Sequence, residues 1–164
     1  MHDLGMSIGR QGHEEMSVFL AKPLIERSLL HMFPDDLHKR VIIRAVAIEA
    51  IIGHMTSRKI HSTEAGIILI ADGCDMTKGR ARIPLAINTT PKVGDIHKYS
   101  ANAINRIGIH RGERKPIKID IEMSSDVCFF QIEEVLLPII YARPEKQYVE
   151  LYAGVGGQER KCYL

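Results

Sequence analysis

The sequence contains no tryptophan, and phenylalanine and tyrosine bring the aromatic share to only 5%. Its basic residues therefore have no interleaved aromatic platform on which unpaired bases could stack, and nucleic acid is not expected as a partner. Charge of one sign is also scarce: 22 Lys and Arg stand against 20 Asp and Glu, a net of +2. That balance gives no strong field for a polyanion. Only three cysteines occur, Cys74, Cys128 and Cys162. They are too few and too widely spaced for a zinc knuckle and odd in number, so free thiols in a reducing compartment are expected. No stretch approaches the roughly 18 apolar residues of a membrane span, and the N-terminus lacks a positive-then-apolar leader pattern. A cytoplasmic location follows as the expectation. With 13 Gly and 7 Pro, the chain has no low-complexity segment either.

What is present is an ordinary globular composition, 45% apolar and 26% charged over 164 residues. This length suits one domain, or a domain with a smaller appendage, and lets roughly two-thirds of the extended-chain surface be buried. The first half reads as helices. Residues 16–30 place Val18, Phe19, Ala21, Leu24, Ile25 and Leu29 at helical spacing, with Pro23 in the first turns or at a kink. Asp35 or Asp36 can cap a second helix that ends near Gly53, carrying Leu37, Val41, Ile42, Ala45, Ile48, Ile51 and Ile52. A third follows Ser62 or Thr63, has Glu64 in its first turn, and is nearly all apolar over 65–71, as in the centre of a bundle.

From about Pro84 the period changes. Ile104, Ile107 and Ile109 precede a turn-rich stretch, after which Ile117, Ile119, Ile121 and Met123 alternate with Lys118, Asp120 and Glu122. This pattern predicts an antiparallel hairpin with a long loop. A short helix over 127–137, ended by Pro138, and a strand over 148–153 complete the reading. The expected fold class is α+β, with a helical domain at 1–83 and a small mixed module at 84–164.

The residues suited to chemistry cluster in a few places. His2 and Asp3 are adjacent and can both reach one divalent ion if another element faces them, giving mixed nitrogen and oxygen ligation. Asp72 follows a run of apolar helix residues, where a carboxylate needs a cap, an ion pair or a metal to offset desolvation. Asp75, three residues on, either tapers the helix end or meets a substrate hydroxyl. His13, His54 and His61 can complete a metal shell or move a proton. Lys78, Arg80 and Arg82 can grip phosphate oxygens.

Several segments together carry a resemblance. They are His2-Asp3-Leu4-Gly5, Gly12-His13-Glu14, Ala50-Ile51-Ile52-Gly53-His54, Thr63-Glu64-Ala65-Gly66-Ile67, and the long run from Ala71-Asp72-Gly73-Cys74-Asp75 through Lys78-Gly79-Arg80-Ala81-Arg82. The likeness continues through Gly94-Asp95-Ile96-His97 and Ile119-Asp120-Ile121-Glu122-Met123 to Phe130-Gln131-Ile132-Glu133-Glu134. On these residues the chain resembles the HD-domain superfamily of metal-dependent phosphohydrolases, and within it the small archaeal-type members.

The resemblance implies an HD-type helical bundle holding a divalent ion, whether Mn, Co, Ni, Fe, Zn or Mg. It implies His2, Asp3 and Asp72 as metal ligands, with His13 and His54 as pocket histidines that take a second metal or contact phosphate. Asp3, His13, His54 and Lys78 are then the expected catalytic residues, and Asp75, Arg80 and Arg82 the expected substrate contacts. The expected activity is hydrolysis of a nucleotide or another small phosphate ester. In the family a further ligand histidine precedes the doublet. Only Met1 stands there in this sequence, so the resemblance implies a helical domain incomplete at its N-terminus. That departure favours, as the alternative function, a catalytically impaired metal- or nucleotide-binding regulatory protein. It also leaves apolar helix faces to be covered by a second copy, so a homodimer is expected.

Overall fold

The computed structural model describes residues 1–55, 58–77 and 103–164. The chain divides into two compact units, Met1–Leu69 and Ile70–Leu164. The boundary expected at 83/84 lies among residues 78–102, outside the described residues, as do Lys78, Arg80 and Arg82.

The first unit is helical. A short 3-10 turn, Leu4–Ser7, precedes α1 (His13–Met32), α2 (Leu37–Ile52) and the start of α3 (Thr63–Gly73). α1 begins three residues earlier than its apolar periodicity suggests, because Gly12 supplies the left-handed conformation, φ 68°, from which the helix starts. Pro23 lies inside α1 without ending it. The ring removes the N–H that would have bonded the Phe19 carbonyl, and Phe19 is the most exposed residue of this helix's apolar set at 72%. Water can therefore serve the orphaned carbonyl.

The buried residues of α1 are His13, Ser17, Ala21, Ile25 and Leu29, one every fourth position along a single face. Its apolar portion, Ala21, Ile25 and Leu29, forms a small core with Ile51 of α2. The N-terminal end of the same face is polar. α2 is capped as expected by Asp36, whose carboxylate accepts from the Lys39 N–H at 2.8 Å. In α3 only one side is covered: Ala65, Leu69 and Ile70 are buried, whereas Ile67 and Ile68 are exposed.

The second unit is built on a sheet of order β1-β2-β3-β4, with β1 Ile104–Arg111, β2 Ile117–Met123, β3 Val149–Val155 and β4 Lys161–Cys162. β1 and β2 form the expected antiparallel hairpin, pairing Ile107 with Ile121 and Ile109 with Ile119. β3 adds parallel to β2, with Ile119 opposite Leu151, and β4 closes antiparallel on β3. Parallel pairing needs a crossover, supplied by α4 (Cys128–Gln131), a π-helical turn (Ile132–Leu136) and α5 (Leu137–Tyr141). Cys128, Ile132, Leu136 and Ile140 recur every fourth residue and bury against Ile119, Ile121, Met123, Leu151 and Ala153.

Pro138 does not end this helical run, contrary to the sequence expectation. It occupies the first turn of α5, where a missing N–H costs little. Just ahead of it the helix widens, and the Leu137 N–H bonds the Ile132 carbonyl five residues back.

The polar face of β3 carries Glu150, which is fully buried. Its carboxylate accepts from the Glu113 N–H at 2.8 Å, the Arg114 N–H at 3.2 Å and the Arg114 Nε at 3.4 Å. Burial pulls the Glu150 pKa upward, but these donors outweigh it and hold the carboxyl below its usual range. The carboxylate thus fastens the β1–β2 turn. Gly112 is required there, since a Cβ would overlap the Lys115 carbonyl oxygen and the Glu150 carboxylate.

Candidate metal centre

The polar end of the α1 face is where donor atoms converge. His13 opens α1, His54 follows the Gly53 that terminates α2, and Asp3 precedes the 3-10 turn. His13 Nε2 and His54 Nε2 lie 3.1 Å apart. Asp3 Oδ1 lies 3.4 Å from the first and 3.5 Å from the second. Among the described residues these three form the one group of His, Cys, Asp or Glu side chains placed to hold a metal ion.

Backbone acceptors set the orientation of both rings. His13 Nδ1 is 2.9 Å from the Arg10 carbonyl oxygen, and His54 Nδ1 is 2.6 Å from that of Ile51. A carbonyl can only accept, so each Nδ1 must carry a proton. A ring with its single proton at Nδ1 turns a bare Nε2 lone pair inward. Two such lone pairs and a carboxylate oxygen facing one another repel unless a cation lies among them. Burial aggravates this, because His13 and His54 are nearly inaccessible. The spacing fits a cation. Ligands held about 2.1 Å from a metal are about 3.0 Å apart in cis-octahedral and about 3.4 Å apart in tetrahedral geometry. An Nδ1–H bonded to a backbone carbonyl is also the usual outer-shell partner of a ligating histidine.

The site is open on one side. The Asp3 side chain retains 42% of its exposure. Its second oxygen, Oδ2, lies 3.5 Å from His2 Nε2, and the His2 ring is tilted against that of His54 at a centroid separation of 4.9 Å. Among the described residues three donor side chains converge here, and one of them, Asp3, is partly exposed.

Two glycines and a glutamate hold the three chain segments in place. A Cβ on Gly5 would overlap the His13 carbonyl oxygen, so only glycine lets the 3-10 turn lie against α1. A Cβ on Gly53 would likewise overlap the Ile60 side chain. Glu49 accepts from the His61 N–H at 2.6 Å and the Ser62 N–H at 3.2 Å, drawing the loop after His54 back onto α2. Hydrogen bonding from Ser62 and from the His61 N–H holds the Glu49 carboxyl below its ordinary range.

The structure thus brings together three residues singled out in the sequence, Asp3, His13 and His54, with His2 at their edge. Asp72 occupies the last turn of α3, half-buried, and Asp75 is exposed just beyond it, both within the second unit. Sequence reasoning gave no role at the site to Ser17, Gly5 or Glu49. The signal for Ser17 was available: it lies four residues after His13 and four before Ala21, on the buried face of α1.

The chain is similar to an uncharacterized protein of Methanocaldococcus jannaschii, with 38% identity over 155 residues, covering 94% of this chain and 58% of that protein. It therefore spans less than two-thirds of that relative's length. No protein-family profile matches the chain, and no solved structure does.

Proposed function

We propose that this protein binds a divalent transition metal through Asp3, His13 and His54 and uses it to hydrolyse a small phosphate ester. One observation carries the reading: two buried imidazoles, each fixed by a carbonyl at Nδ1, turn their Nε2 atoms toward each other and toward one carboxylate oxygen. Two nitrogen donors favour Mn, Fe, Co, Ni or Zn over Mg. The choice of a phosphate ester rests on the resemblance to the HD-domain phosphohydrolases. That resemblance also supplies Asp72 as a further oxygen ligand, Asp75 as a contact to a substrate hydroxyl, and Lys78, Arg80 and Arg82 as contacts to phosphate oxygens.

In this reading a divalent ion supplies Lewis acidity, making water nucleophilic near neutral pH and drawing charge from a phosphoryl oxygen. The protein's own residues do the rest. The Arg10 and Ile51 carbonyls, each beside an Nδ1, leave the Nε2 atoms of His13 and His54 to face the ion. Asp3, His13 and His54 would hold the ion, and Asp3 Oδ2 lies beside the partly exposed His2, whose imidazole can carry a proton to a departing alkoxide. The exposed flank beside Asp3 gives the substrate its way in.

The test is a titration of the metal-stripped chain with Co²⁺ followed by its absorption spectrum, then assay of the loaded protein on a panel of nucleoside monophosphates, diphosphates and p-nitrophenyl phosphate. Uptake of Co²⁺ with metal-dependent turnover is the expected result. Uptake without turnover on any member would favour the regulatory alternative, a metal- or nucleotide-binding protein without catalysis. No uptake would reduce the 3.1 Å histidine contact to a shared proton and overturn the metal reading.

A further inference from the structure

We infer that Ser17 is a positioning residue that sets the metal affinity of this site by holding Asp3 against His13, an inference that rests on the metal reading above. Two of the three donors ride on the ends of the packed helices α1 and α2. Asp3 does not. It belongs to a short N-terminal segment whose place depends on how the 3-10 turn meets α1.

That meeting is made by backbone alone at Gly5, where a Cβ would overlap the His13 carbonyl oxygen and come within 2.8 Å of the Ser17 backbone nitrogen. One polar contact fixes it: the Gly5 N–H donates to Ser17 Oγ at 2.8 Å, in a buried setting. Ser17 is fully inaccessible. A hydroxyl in a helix interior contributes nothing to helix propensity, and burying it is unfavourable unless it is bonded. Its presence is explained by the donor it receives. Asp3 lies two residues before Gly5, and His13 one helical turn before Ser17, so this bond spans the same gap as the 3.4 Å contact between Asp3 Oδ1 and His13 Nε2. Without it the turn that carries the carboxylate can lift from the helix, while the His13–His54 pair remains in place.

The experiment is a double-mutant cycle read by Co²⁺ affinity on the full chain, with far-UV circular dichroism confirming that each metal-free variant is folded. Ser17→Ala should weaken binding about tenfold, the lower end of what outer-shell partners contribute. In an Asp3→Asn background the same substitution should cost nothing further, because the group it positions is gone. Ser17→Cys, close in size but a weaker acceptor, should lose less than Ser17→Ala and carries the same comparison if alanine fails to fold. Unchanged affinity in Ser17→Ala, or equal losses in the two backgrounds, would overturn the inference while leaving the metal reading intact. A parent chain that takes up no Co²⁺ would overturn both.

Discussion

His13 Nε2 and His54 Nε2 face each other at 3.1 Å across the end of the α1–α2 pair, each ring steered there by a carbonyl on its far side. Forty-one residues separate them in sequence. Their convergence follows from α1 starting at His13 and α2 ending just before His54, so that antiparallel helices joined by a short loop bring these two ends together.

If the pair and Asp3 are ligands, His54→Ala should reduce Co²⁺ or Zn²⁺ affinity by more than about a hundredfold, beyond the range of outer-shell changes. Affinity of the parent should fall on acidification, since a ligating imidazole must be neutral and protons compete for Nε2. Calorimetric titration of parent and variant at several pH values checks both statements. Equal affinity in the two chains would remove His54 from the ligand set.

Glu150 predicts an acid sensitivity for the second unit. Its carboxyl is held below the ordinary range when folded, whereas an unfolded glutamate titrates near about 4.3. The stabilisation is therefore complete above the unfolded value and is lost as pH falls through the folded one. Glu150→Gln should melt lower than the parent at pH 7, and the two should draw together as the pH is lowered toward 3. Thermal melts across that interval provide the measurement; a gap that persists unchanged at pH 3 would show that the charge is not what matters.

The cysteines should differ sharply in reactivity. Burial pushes the Cys74 thiol up to about 12, and Cys128 is also buried, whereas Cys162 is exposed. A thiol reagent at pH 8 should modify Cys162 within minutes and the other two only when the protein unfolds. Mass spectrometry of the labelled chain resolves the order.

Phe19, Leu30, Leu37 and Ile42 leave large apolar surfaces uncovered on α1 and α2. Pairing of two chains over these faces is the proposed homodimer. Light scattering across a concentration series should give twice the chain mass, and Phe19→Asp or Ile42→Asp should return the monomer mass. A parent that stays monomeric at high concentration would reject the pairing.

Much of the fold was legible because it follows from periodicity. The alternation at Ile117, Ile119, Ile121 and Met123 gave β2 directly, and the four-residue recurrence gave α1 and α2. The start of α1 was not legible, since the apolar periodicity begins only at residue 16, whereas the helix starts from the left-handed Gly12. Nor was the passage of the crossover helix through Pro138, which sits in the first turn of α5 just after a π turn. At the site, residue types and the resemblance brought Asp3, His13 and His54 to notice. Their mutual aim was hidden, because it depends on the Arg10 and Ile51 carbonyls and on the bare backbone of Gly5. Sequence spacing carries no record of which carbonyl a ring will meet.

The Glu150 fastening has a consequence for the order of folding. The β1–β2 hairpin is local and can pair early, but the carboxylate that locks its turn arrives only with β3, after the crossover has closed between residues paired as Ile117 and Val149. Loop closure over that span must precede the reward of the contact. The turn at Glu113 and Arg114 is then among the last places to set, and loss of Glu150 should hasten unfolding while leaving the refolding rate nearly untouched.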